Sequence, residues 1–141
     1  MKILVCHDGS EVSLRAVHFL IEHVKWFRDP PELHLLYVHP PIPIGMATKH
    51  VAQATVDAYY REEGDEALRG ARAALEAGGL AYAAHIHVGP VPETIVRVAR
   101  DFGCELICLG THGRGTLGSA LMGSVATKVL HLSAIPVMLA R

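Results

Sequence analysis

The sequence predicts one α/β domain: an open five-stranded parallel sheet with helices on both faces. Three observations carry that prediction. Short apolar runs alternate with longer segments of helical period along the 141 residues, as in proteins whose strands run parallel with right-handed crossovers. The runs are apolar nearly throughout, as strands covered on both faces are. Glycine, proline and Asp-Gly breaks separate them, with no repeat, linker or low-complexity tract to divide residues 1–141.

Lys2 to His7 (KILVCH) is the first strand, and Asp8-Gly9-Ser10 breaks it. Ser10 is an N-cap candidate for a helix whose Leu14, Val17, Leu20, Ile21 and Val24 keep helical spacing to about Phe27, where Asp29-Pro30-Pro31 stops it. Leu33 to Val38 is the second strand, and the proline-rich stretch from His39 to Gly45 is a loop. A long helix runs from about Val51 to Ala77, with Gly64 and Gly70 as weak points and Gly78-Gly79 as its stop. Leu80 to Val88 is the third strand, and Pro92 opens a third helix that leaves at Gly103. Leu106 to Leu109 is the fourth strand, a fourth helix begins at Ser124, and Ile135 to Leu139 is the fifth strand.

Between the fourth strand and the fourth helix lies the stretch with the clearest chemistry. Gly110, Gly113, Gly115 and Gly118 follow one another, and Gly123-Ser124 sits at the helix start. Glycine admits close approach to the main chain, and a helix N-terminus offers unpaired N–H groups and partial positive charge. Phosphate is the expected guest. Gly113-Arg-Gly-Thr-Leu-Gly118 spells G-x-G-x-x-G, but the dinucleotide fingerprint needs a further βαβ unit with an acidic residue roughly 20 positions on. Only the strand Ile135–Leu139 follows, and it has no carboxylate. A Walker A loop needs a Gly-Lys pair, and the chain contains none.

The spacing Gly110-x2-Gly113-x9-Gly123-Ser124, with His7-Asp8-Gly9-Ser10-Glu11 near the start, resembles the ATP-binding branch of the universal stress protein family along the whole chain. That resemblance implies a Rossmann-like fold of the adenine nucleotide alpha-hydrolase-like kind, with strand order 3-2-1-4-5. It implies ATP with Mg2+ (or Mn2+) as ligand. Asp8, with Gly9 beside it, would meet the ribose or the metal-bound phosphate, and the Val38 backbone would pair with adenine. Gly110, Gly113, Gly123 and Ser124 would surround the phosphates, with the Val125 N–H in reach. It also implies a homodimer formed by antiparallel pairing of the edge strand 135–139, with Val137 and Leu139 near its centre and Pro136 limiting further extension.

Arg114 and His112 lie inside the loop and are candidate phosphate contacts, arginine through charge-assisted hydrogen bonds. Asp8 is the candidate metal contact through Mg-ATP. His7 departs from the family, which more often has a small or apolar residue there, and so can crowd or tune the pocket. No Ser-His-Asp order and no carboxylate pair supports catalysis, so a nucleotide-dependent regulatory or stress-response module is expected, with slow ATP hydrolysis at most. AMP or a cyclic nucleotide remains an alternative, because backbone N–H groups do not count phosphates.

Composition sets the remaining bounds. A formal charge of −1 gives no field for nucleic acid or an anionic membrane. No apolar run approaches the ~18 residues of a membrane span, and the N-terminus reads as a strand rather than a signal peptide, so a soluble cytoplasmic protein is expected. Cys6, Cys104 and Cys108 lack zinc spacing and read as buried, reduced thiols. His85-x-His87 puts two imidazoles on one strand face, but without the further ligands of a structural zinc site.

Overall fold

The computed structural model describes residues 1–43, 51–113 and 122–141. Five strands, β1 (Lys2–Cys6), β2 (Glu32–His39), β3 (Tyr82–Val88), β4 (Leu106–Gly110) and β5 (Val137–Ala140), form one sheet in the order β3-β2-β1-β4-β5. All four pairings are parallel. Among the described residues four helices connect them: α1 (Glu11–His23), α2 (Gln53–Ala77), α3 (Val91–Asp101) and α4 (Ser124–Leu132). The first predicted helix divides, since a 3-10 turn over Val24–Trp26 follows α1.

Side chains alternate along each strand, and both faces are covered. Ile3, Val5, Leu33, Leu35 and Tyr37 pack with Val17 and Leu20 of α1 and with Ala67, Leu68, Ala71 and Leu75 of α2. Leu4, Cys6, Leu36, Val38, Ile107 and Leu109 face Ile95, Val98 and Ala99 of α3 and Ala126 and Val129 of α4. Each fully buried Leu, Ile or Val side chain contributes roughly 1.5–3 kcal/mol, so this double layer explains the unbroken apolar runs. All three cysteines are buried and free. Burial pushes the Cys108 thiol up to about 12, and Cys6 is raised further by burial and its neighbouring thiols.

Helices α2 and α3 end alike. Gly79 and Gly103 take φ of 69° and 67°, and Leu80 N–H donates to Leu75 O as Cys104 N–H donates to Ala99 O, the Schellman arrangement in which a left-handed glycine closes the last turn. Gly64 and Gly70 do not interrupt α2. Gly64 is buried under Ile86 of β3, whereas Gly70 faces open space.

Strand order reverses between β1 and β4. The chain leaves β1 toward β2 through α1 and returns to β4 only after β3 and α3. A crevice at the carboxyl ends of β1 and β4 follows from that connectivity, and ligands of open α/β sheets bind in such crevices.

Candidate functional site

The β1 side of the crevice is a knot of short hydrogen bonds. Past β1 the chain turns at Gly9, whose φ of 83° suits glycine. Ser10 N–H donates to Asp8 Oδ1 at 3.0 Å, and Ser10 Oγ accepts the Ser13 N–H at 3.2 Å as the N-cap of α1. Ser13 Oγ–H donates to Asp8 Oδ1 at 2.7 Å and lies 2.7 Å from His7 Nδ1. Burial raises the Asp8 carboxyl, but hydrogen bonds from Ser10 and Ser13 and the charge of His7 outweigh it, so Asp8 titrates below its ordinary value. Asp8 is therefore an anion at neutral pH.

The opposite wall is the exit of β4. Thr111 N–H donates to Ala140 O at 2.8 Å, which continues the β4–β5 ladder, and Gly123 N–H returns to Thr111 O at 2.7 Å. Thr111 Oγ1 and His112 Nδ1 lie 2.9 Å apart. Gly123 holds the N-cap position of α4, and among the described residues no side chain caps that end. Ser124 is the first helical residue, where the sequence reading starts the fourth helix. The leading N–H groups of a helix have no intrahelical partner, and this end of α4 lines the crevice.

The loop glycines are small for a reason the spacing did not show. Gly110, Gly113 and Gly123 all have negative φ, so none is required for a left-handed turn. A Cβ on Gly110 would stand 2.9 Å from Ser13 N and 3.1 Å from Val12 C, inside the first turn of α1. One on Gly113 would stand 2.8 Å from Asp8 Oδ2, and one on Gly123 would stand 3.0 Å from Thr111 O. Each bare Cα lets protein meet protein around the crevice.

The cavity so enclosed measures about 350 Å³, within the range of about 300–1,000 Å³ for small-molecule sites. Leu36, Val38, Leu109 and, from α3, Val91 and Ile95 give it apolar walls. His7, Asp8, Ser13, Thr111, His112 and Ser124 supply polar side chains to its lining. The structure brings Asp8, Val38, Gly110, His112, Gly113, Gly123, Ser124 and Val125 to this one cavity. Gly9 shapes the turn behind Asp8 without lining it, and Arg114 lies outside the described residues. Sequence reasoning missed Ser13, Val91 and Ile95. Ser13 had a signal, three residues beyond Ser10 in a capping register; the α3 side chains had none.

A metal at Asp8 would have this single carboxylate among the described residues, since no group of three or more His, Cys, Asp or Glu is placed to hold an ion there. That donor set suits Mg2+, which is commonly held by one or two carboxylates together with ligand phosphates. His85 and His87 do share a face, in register with Leu36 and Val38. His85 Nε2 is engaged with His34 Nδ1 at 3.0 Å, and its ring packs on Phe102.

Parallel order 3-2-1-4-5 with a cavity at the switch point defines a Rossmann-like α/β protein. The chain belongs to the universal stress protein family, whose family profile matches residues 1–141. Universal stress protein MJ0531 of Methanocaldococcus jannaschii is 30% identical over 140 residues, covering 99% of this chain and 81% of its own. The solved structure of protein MJ0577 superposes with a TM-score of 0.82 at 28% identity, covering 99% of this chain and 94% of that one. A universal stress protein solved in complex with cAMP superposes at 0.72 with 24% identity, covering 100% and 97%.

Proposed function

We propose that the cavity binds an adenine nucleotide, ATP with Mg2+ (or Mn2+), and that the protein is a nucleotide-dependent regulatory or stress-response module. One observation carries this reading: a single cavity joins an uncapped helix N-terminus, an ionised carboxylate and apolar walls. Helix N-termini attract phosphate, a carboxylate takes a sugar hydroxyl or a phosphate-bound cation, and apolar walls take the flat base. The phosphates belong with Gly113, Gly123, Ser124 and the Val125 N–H, with His112 and Arg114 as further contacts. The base belongs against Val38, whose main chain is the pairing edge. The cAMP complex of another family member, at 24% identity, speaks for the fold; the ligand is argued from this cavity's own lining.

Hydrolysis would need an activated water and charge neutralisation at the γ-phosphate. Asp8 is depressed and tied to Ser10 and Ser13, which makes it a poor base, so turnover is slow at most. The working form is a cytoplasmic homodimer paired through the C-terminal edge segment 135–139, which contains most of β5. Its outward hydrogen-bonding groups are those of Val137 and Leu139, because Pro136 O and Ala140 O accept from β4 and Thr111. The missing N–H of Pro136 thus falls on the inner side, and Pro136 does not blunt the outer edge.

The test is calorimetric titration of nucleotide-free protein with ATP, AMP and cAMP, each with Mg2+. Micromolar binding of ATP, weaker for AMP, and its loss in Asp8→Ala is the expected result. Tighter binding of cAMP would move the reading to a cyclic-nucleotide sensor, and no binding of any of them would overturn it.

A further inference from the structure

The carboxylate of Asp8 is held more closely than a ligand contact by itself requires. Ser13 Oγ lies 2.7 Å from Asp8 Oδ1, 2.7 Å from His7 Nδ1, 2.9 Å from the Ser10 carbonyl and 3.1 Å from Ser10 Oγ, and it accepts the Asp8 main-chain N–H at 3.3 Å. Asp8 Oδ1 also accepts the Ser10 N–H at 3.0 Å. A serine hydroxyl has one proton to give and two lone pairs to receive. The ionised carboxylate is the strongest acceptor in reach, so the Ser13 proton belongs to Oδ1. Two acceptors facing each other at 2.7 Å would have no proton between them, so His7 Nδ1 must be the donor to Ser13 Oγ. The count therefore gives a directional chain from His7 Nδ1–H through the Ser13 hydroxyl to Asp8 Oδ1. His7 and Ser13 are each 4% exposed, so water competes little with it.

The second carboxylate oxygen has a different environment. Oδ2 lies against Gly113, where a Cβ would stand 2.8 Å away, and both residues line the cavity. Among the described residues no hydrogen-bond donor reaches Oδ2, whereas Oδ1 has two.

We infer that His7 and Ser13 are positioning residues for Asp8, consuming Oδ1 so that Oδ2 alone meets a ligand hydroxyl or cation. The inference rests on the reading of this cavity as a nucleotide site. It makes Asp8 a one-oxygen contact, which reads a single hydroxyl rather than clasping a ribose diol with both oxygens. It also gives the buried His7 a defined task.

Two measurements test it, and they fail separately. The first uses the 15N-labelled protein without nucleotide: the ring spectrum of His7 shows a protonated Nδ1 if the chain exists. An unprotonated Nδ1 overturns it, whatever the cavity binds. The second measures Mg-ATP affinity for wild type, Ser13→Ala, His7→Phe and His7→Asn, with the melting point of each as a check on folding. Asparagine places an N–H donor where Nδ1 stands; phenylalanine keeps bulk without a donor. Ser13→Ala and His7→Phe weaken binding by about tenfold or more, the scale of a hydrogen bond to a charged group, and His7→Asn recovers most of that loss. Equal affinity of wild type and His7→Phe overturns the inference. If wild type bound no adenine nucleotide, the nucleotide reading would fall, and the ring spectrum would still decide the chain.

Discussion

Gly110→Ala isolates the contact that joins the two walls of the crevice. Its Cβ would come within 2.9 Å of Ser13 N, 3.1 Å of Ser13 Cα and 3.1 Å of Val12 C. These are backbone atoms in the first turn of α1, fixed by the Ser10 cap and by Leu14 N–H on Ser10 O at 3.0 Å. No rotamer change can relieve the overlap; either α1 or β4 must shift. Forcing extra volume into a packed interior costs about 1–3 kcal/mol, and a rigid neighbour places this substitution in the upper half of that range. In a chain of this length each kcal/mol lowers the melting point by about 3 °C, so a fall of about 6–9 °C is expected. Thermal melting followed by circular dichroism at neutral pH reads it, with urea unfolding as a second measure. A variant melting within about 2 °C of wild type would show that α1 is not seated against Gly110, and the geometry argued for Asp8 would lose its support.

Other substitutions test separate parts of the account. Gly70→Ala should stabilise α2 by about 0.5–1 kcal/mol, since nothing lies within 4 Å of its Cβ and alanine is the better helix former. Gly64→Ala should lose that gain, because its Cβ would meet three Ile86 carbons at 2.7–2.8 Å; urea midpoints of the two variants compare them. Burial, with the charges of His34 and His87, holds His85 below its ordinary value. The folded chain therefore binds fewer protons there than the unfolded chain, and stability that is intact above about pH 6.5 falls as the pH drops toward the lowered value. His85→Gln should lose less melting temperature than wild type between about pH 7 and about pH 5. Leu139→Pro removes an outward N–H of β5 while leaving the inward groups at Pro136 and Ala140 in place. Light scattering should find it shifted from dimer to monomer.

The fold was legible because the central strands β1, β2 and β4 are buried on both faces, so β1 and β2 read as apolar runs of nearly the right length. Boundaries moved by a residue or two where hydrogen bonding, rather than side-chain chemistry, decides them: β4 extends to Gly110 and β5 to Ala140. The site was legible in part. Asp8 and the spaced glycines announced a crevice, but the spacing did not show what each missing Cβ makes room for. Gly110 admits α1, Gly113 admits the Asp8 carboxylate and Gly123 admits Thr111. Those are contacts between segments about 100 residues apart, or across a loop, and no local pattern encodes them. Val91 and Ile95 reach the cavity from α3 for the same reason: their helical period shows an apolar face but not what that face covers. Ser13 was within reach, because the spacing Asp8-x-Ser10-x2-Ser13 is a local capping register.

The central claim is that the crevice between β1 and β4 receives an adenine nucleotide with its phosphates at the start of α4. A crystal structure of the protein grown with Mg-ATP tests this most directly. The expected electron density has the base against Val38, one ribose hydroxyl or the metal at Asp8 Oδ2, and phosphates beside Gly113, Gly123 and Ser124. A nucleotide ordered elsewhere on the surface, or lying in the crevice with its phosphates against Val91 and Ile95, would contradict it.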